Sequence, residues 1–272
     1  MPVIDAQSAA ALMGLLTGLV AKAGAAVLSV NRDRMTTGGK IDGSPVTDAD
    51  LASDNVIAEG LARLCPDIPV LSEERAHLAT PPYSGSLFVI DPLDGTKEFI
   101  AGRNEYTVNL AIVTDGVPLL GIIGAPALGS IWRGVVGRGA ERLTAVSDAG
   151  AGIAEPIRTR PFPGPGSQWI AAVSRSHADS RSDVFISQRP DAVRKPLGSA
   201  VKFCRIAEGG ADIYPRLAPT CEWDVAAGHA LVTAAGGKVT DESGAPLRFG
   251  EAREGFLVPG FIAWGDPSAA PL

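Results

Sequence analysis

Three apolar runs with short gaps between them do most to limit the folds open to this chain: Tyr106–Val113, Val117–Gly124 and Ile131–Val136. Each has the length and pattern of a strand. Thr114-Asp115-Gly116 separates the first two and is a hairpin signal. Consecutive strands joined by such short turns predict an antiparallel sheet.

Other elements gather round that sheet. Leu12, Leu15, Leu16, Leu19, Val20, Ala23 and Val27 recur at helical spacing, which predicts one long amphipathic helix over Asp5–Val30. Asn31–Ser44 is polar and contains Gly38-Gly39 and Asp42-Gly43, so it reads as a mobile loop or a loose hairpin. A second helix runs from near Thr47 to about Leu64, and strands follow at Ile68–Leu71 and Leu87–Ile90. The Pro/Gly-rich stretch Arg160–Gly166 is the most linker-like segment. Beyond it strands (Trp169–Val173, Ala211–Tyr214, Lys238–Thr240) alternate with helices (from near Ala178, Ser199–Glu208, Asp224–Ala235). The expectation is an N-terminal α+β domain over residues 1–166 and a C-terminal α/β domain over 167–272.

The chain has 272 residues, 46% of them hydrophobic, enough for a sizeable core. A net charge of −6 speaks against a nucleic-acid polymer as partner but leaves a small nucleotide open. Cys65, Cys204 and Cys221 have neither metal nor redox spacing, so a reducing, cytoplasmic setting is expected. The apolar stretch Ala9–Val20 is closed by Lys22 and reads as too short to span a bilayer. No integral membrane segment is expected; peripheral contact at the inner membrane and the choice between monomer and homodimer stay open.

The sharpest chemical signal is Asp91-Pro92-Leu93-Asp94-Gly95-Thr96, placed where the strand Leu87–Ile90 ends. Pro92 restricts Asp91 to an extended backbone and Gly95 permits a sharp turn, so two carboxylates and a hydroxyl share one stiff loop. Ser72-Glu73-Glu74 follows another strand. Thr47 and Asp50 have capping-box spacing, which by itself is a structural device. Asp224 stands where a small-residue helix begins and reads as its N-cap. Oxygen donors without a Cys/His set favour a hard cation such as magnesium, provided the segments converge.

Together Ser72-Glu73-Glu74, Asp91–Thr96 and Trp223-Asp224-Val225-Ala226-Ala227-Gly228 resemble, in order and separation, the magnesium-dependent, lithium-sensitive phosphatases of the inositol monophosphatase superfamily. Five further stretches resemble its bacterial 3′(2′),5′-bisphosphate nucleotidase branch: Thr96–Phe99, Ser174–His177, Gly198–Cys204, Tyr214–Arg216 and Pro259–Phe261. Inositol monophosphatases more typically have Thr-Asn where this chain has Lys97-Glu98.

The resemblance implies a layered αβαβα sandwich with the site between two domains. It implies two or three Mg2+ ions held by Glu73, Asp91, Asp94, Asp224 and the Leu93 carbonyl. Asp50 and Thr96 would orient the attacking water, Gly95 and Thr96 would hold phosphate oxygens, and His177, Ser199, Lys202 and Arg216 would contact the nucleotide beside Asp224. The implied reaction is hydrolysis of 3′-phosphoadenosine 5′-phosphate to AMP and phosphate. The alternatives are an inositol or related sugar monophosphatase with the same core, and a non-catalytic nucleotide sensor. His77, His229 and Cys221 are expected to be structural, and Trp223 a core anchor beside the site. Lys40 is expected on a flexible surface loop.

Overall fold

In the computed structural model of the chain, residues 2–39, 45–164, 167–176, 179–189 and 191–270 are described. Helix α1 (Ala6–Ser29) starts at Asp5, whose carboxylate accepts from the Ser8 N–H at 2.8 Å. The short strands β1 (Thr37–Gly39) and β2 (Pro45–Thr47) then pair antiparallel. Of the mobile loop and the loose hairpin expected here, the pairing is that of a hairpin; its tip, Lys40 included, lies outside the described residues. Helix α2 (Asp48–Leu64) opens with the Thr47/Asp50 capping box, as the spacing predicts.

A sheet of seven strands follows, built in chain order: β3 (Val70–Ser72), β4 (Ser86–Asp94), β5 (Thr107–Thr114), β6 (Val117–Ala125), β7 (Ser130–Val135), β8 (Gly139–Thr144) and β9 (Ile153–Ile157). It is antiparallel except for the parallel β3–β4 pair. The short helix α3 (Thr96–Ile100) sits between β4 and β5.

Side chains alternate across this sheet, and the alternation defines the layers. Phe88, Ile90, Leu110 and Ile112 join Leu16, Val20, Ile57 and Leu61 of α1 and α2 in one core. Leu87, Val89, Ala111 and Val113 point the other way, into a core shared with the second half of the chain.

That half contributes β10 (Ile170–Ser174), α4 (Ser180–Ser187), β11 (Val193–Leu197), α5 (Val201–Ala207), β12 (Ile213–Arg216), β13 (Thr220–Cys221), α6 (Glu222–Ala234), β14 (Lys238–Asp241), β15 (Leu257–Val258) and β16 (Phe261–Trp264). β11-β10-β12-β16-β14 form a mixed sheet, while β13 and β15 pair separately. Phe203 of α5 and Val225, Ala226 and Leu231 of α6 lie between the two sheets. Ile186 of α4 packs on the outer face of the second sheet with Ile213, Ile262 and Trp264. The result is an αβαβα layered sandwich. Gly121 in β6 lets α6 cross the sheet closely, because a Cβ there would collide with the Ala227 carbonyl.

Three sequence expectations need correction. α1 is 24 residues long, so length does not exclude a span as the shorter stretch suggested. Its apolar stripe is instead used inside the fold, where Leu16, Leu19, Val20, Ala23 and Val27 are buried. Asp91 does not end its strand: β4 continues to Asp94 through a register shift. The strands β8, β9, β11, β13, β15 and β16 are absent from the expected elements; β9 and β11 are almost wholly exposed and carry no apolar alternation, whereas β16 is wholly buried.

Candidate active site

The register shift in β4 is a β-bulge. Asp91 stands opposite Asn109 and Asp94 opposite Thr107, so one extra residue is taken up on the β4 side. The bulge turns two carboxylates toward one space instead of opposite faces. Asp91 is buried and accepts from the Leu93 N–H at 3.0 Å. The Leu93 side chain is sunk in the core, and its carbonyl lies 3.3 Å from Thr96 Oγ1, which donates to it. Gly95 closes the turn with φ +93°, and a Cβ there would press on Ser199 at 3.3 Å.

Helix α2 braces this turn. Thr96 Oγ1 also reaches Asp50 Oδ1 at 2.9 Å, while Asp50 Oδ2 accepts from the Thr47 N–H and hydroxyl at 2.8 and 2.6 Å. Asp50 therefore caps a helix and holds Thr96 at once. One helical turn on, Ser53 Oγ donates to the Pro92 carbonyl at 2.6 Å. Asp54 accepts from Ser72 Oγ at 2.7 Å and Arg75 Nε at 2.5 Å, the residues flanking Glu73 and Glu74. Sequence reasoning missed Ser53 and Asp54, although their i+3 and i+4 spacing from Asp50 puts them on its face.

Asp224 arrives from the other half of the chain. It is the third residue of α6, not its N-cap: Cys221 caps the helix, and Asp224 Oδ2 accepts from the Cys221 N–H at 3.1 Å and from the Thr220 hydroxyl. Oxygens of Asp91, Asp94 and Asp224 all lie within 4.8 Å of one another. Burial, then the neighbouring Asp224 charge, pushes the Asp94 carboxyl up to about 6. A cation relieves that repulsion, and an all-oxygen donor set suits a hard one, so these residues fit a metal. Glu73 lines the same cavity but stands outside the close trio.

The cavity measures about 260 Å³. Cationic side chains share its lining, close enough for their charges to act on Asp94. Lys202 is 4% exposed and donates to the Ser199 carbonyl. Burial, opposed by Asp94, draws its ammonium down to about 8. Arg216, from β12, lines the same space, and its buried Nε has no hydrogen-bond partner among the described residues. Ser199 holds a left-handed φ of +52°, with its hydroxyl 2.5 Å from Thr107 Oγ1. Trp223 lines the cavity while packing on Phe256 at 5.9 Å. His177 lies outside the described residues. His229 packs edge-on against Phe249 in the core, and His77 is exposed on the turn after Glu73.

Residues 9–261 match the Inositol monophosphatase family. The chain belongs to that family. It is 39% identical over 252 residues to the 3′(2′),5′-bisphosphate nucleotidase CysQ of Escherichia coli strain K12, covering 89% of this chain and 95% of that protein. The CysQ of Buchnera aphidicola is 37% identical over 226 residues, 82% of each chain. Among solved structures, CysQ from Bacteroides thetaiotaomicron superposes with a TM-score of 0.75 at 32% identity, covering 94% of this chain and 97% of that one. The Thermotoga maritima IMPase does so with a TM-score of 0.70 at 25% identity, covering 92% and 91%.

Proposed function

We propose that the chain is a Mg2+-dependent phosphatase that removes the 3′-phosphate of 3′-phosphoadenosine 5′-phosphate, giving AMP and phosphate. The observation that carries this reading is one cavity with a carboxylate half, Asp91, Asp94 and Asp224, and a cationic half, the buried Lys202 and the half-buried Arg216. A substrate with two phosphates uses both halves. An inositol monophosphate leaves the second idle. Similarity to the CysQ nucleotidases supports the same substrate.

In this reading two or three Mg2+ ions are held by Glu73, Asp91, the Leu93 carbonyl, Asp94 and Asp224. When bound, they activate the attacking water and neutralise phosphate charge. The chain's own groups do the rest. The Thr96 hydroxyl, donating to Asp50, presents its oxygen to the attacking water and takes up the water's proton as its own passes to the Asp50 carboxylate. Backbone N–H groups of Gly95 and Thr96 hold phosphate oxygens. Arg216 offers a planar fork and Lys202 a point charge to the 5′-phosphate, with Ser199 and His177 completing the nucleotide contacts. The ligands come from both proposed domains, 1–166 and 167–272, and the enzyme works in the cytoplasm.

The test is phosphate release with and without Mg2+, from 3′-phosphoadenosine 5′-phosphate and from inositol 1-phosphate. A Mg2+-dependent preference for the nucleotide is expected. A preference for inositol phosphate overturns the substrate assignment, and no release from either overturns the catalytic one.

A further inference from the structure

The segment after the Asp91–Thr96 turn carries two carboxylates that the reaction above leaves unused, Glu98 in α3 and Glu105 just before β5. Glu98 is only 3% exposed and lines the same cavity, where its charge acts on Lys202, but it stands outside the carboxylate trio. Its Oε1 accepts from Ser176 Oγ, with the Arg103 guanidinium 3.9 Å away. Glu105 Oε2 accepts from the Gly198 N–H at 2.8 Å and lies 2.8 Å from Arg175 Nη2. Arg175 in turn donates to the Pro196 carbonyl at 2.9 Å.

The acceptors thus belong to the α3–β5 segment that follows Gly95 and Thr96. Their donors follow β10 and β11 of the other sheet. The two sides also touch: a Cβ on Gly198 would stand 2.6 Å from the Glu105 carbonyl oxygen and 3.0 Å from Glu98 Cγ. Directly beyond Gly198 come Ser199, in its strained backbone conformation, and Lys202, which donates to the Ser199 carbonyl.

We infer that Glu98 and Glu105 are positioning residues that clamp the loops at Arg175–Ser176 and Gly198–Ser199 onto the Gly95–Thr96 turn, fixing the distance between the two phosphate subsites. This rests on the functional reading above and explains how it becomes selective. A bisphosphate must meet both halves at once, so it gains from their being held in register before it binds. A small monoester meets only the carboxylate half and is indifferent to the clamp.

The experiment compares wild type with Glu98→Gln, Glu98→Ala, Glu105→Gln and Ser176→Ala, measuring kcat and KM for 3′-phosphoadenosine 5′-phosphate and for β-glycerophosphate. Removing a charge-assisted acceptor is expected to raise the nucleotide KM about tenfold in E98A, less in E98Q, and to leave kcat/KM for β-glycerophosphate within about threefold. E98A combined with S176A should cost no more than E98A alone, since both break one contact. Equal losses on both substrates, unchanged nucleotide KM, or additive losses in the double variant would each overturn the inference. If E98A fails to fold, the near-isosteric E98Q and E105Q carry the comparison, with melting curves as control. A wild type without preference for the nucleotide overturns the functional reading and the clamp with it. A wild type with that preference whose variants keep it overturns the clamp alone.

Discussion

Asp94→Asn should make the metal-free protein more stable and the enzyme inactive. The Asp94 carboxyl is pushed from 3.8 to about 6, first by burial and then by the Asp224 charge, a shift already softened by Lys202. A carboxyl raised in the folded state is bound to its proton more tightly there than in the unfolded chain. Its ionisation therefore costs stability: nothing below about pH 4, progressively more up to about pH 6, and the full amount above. Two pKa units correspond to about 3 kcal/mol, reduced to about 2 kcal/mol because the residue is partly exposed. Asn keeps the shape and removes the charge. For a chain of this size about 2 kcal/mol is roughly 3–4 °C in Tm. The assay is thermal unfolding after EDTA treatment at pH 4.5 and 7.5. The variant should melt higher than wild type at pH 7.5, lose most of that advantage at pH 4.5, and lack the upward shift that Mg2+ gives wild type. A variant that melts lower at pH 7.5, or a gap independent of pH, refutes the argument that the trio is held together against its own repulsion.

Three further outcomes are expected. Asp224→Asn should cut Mg2+-dependent turnover by roughly a hundredfold or more with an unchanged circular dichroism spectrum, checked by steady-state kinetics. Asp54→Ala strips the acceptor from Ser72 and Arg75; urea unfolding should show a loss of about 2 kcal/mol, and calorimetric Mg2+ titration a weaker affinity as Glu73 loosens. His229 is buried with its pKa drawn down to about 4, mainly by desolvation, so the folded chain binds fewer protons than the unfolded one between about pH 4 and 6.5. Stability falls as pH drops through that window, and His229→Leu should make the decline shallower by about 3 kcal/mol at pH 4 in urea titrations at several pH values.

The legible parts of the site are those written locally. Pro92 and Gly95 fix a turn wherever they occur, so Asp91, Asp94 and Thr96 could be read as one unit, and Thr47 and Asp50 announced their capping box. The bulge that turns Asp91 and Asp94 to one space was not legible, because register depends on the partner strand β5. Asp224 could be placed at the site only by the order of motifs; its approach depends on Gly121 letting α6 lie close to β6, a contact between opposite halves of the chain. Ser53 and Asp54 were marked only by their helical spacing from Asp50, which does not say what they hold. Glu98 and Glu105 look in sequence like ordinary polar surface residues; their partners come from distant segments, and no local periodicity marks them. The edge strands β9 and β11 gave no signal because solvent, not a core, meets their side chains.

The most direct test of the central claim is to identify the product. Incubated with 3′-phosphoadenosine 5′-phosphate and Mg2+ and followed by 31P NMR, the enzyme should lose the 3′-phosphate resonance, gain inorganic phosphate, and leave 5′-AMP intact, with no change when EDTA replaces the metal. Formation of 3′-AMP would mean that the carboxylate and cationic halves bind the opposite phosphates, and release that persists in EDTA would mean that the Asp91, Asp94 and Asp224 cluster is not where the chemistry happens.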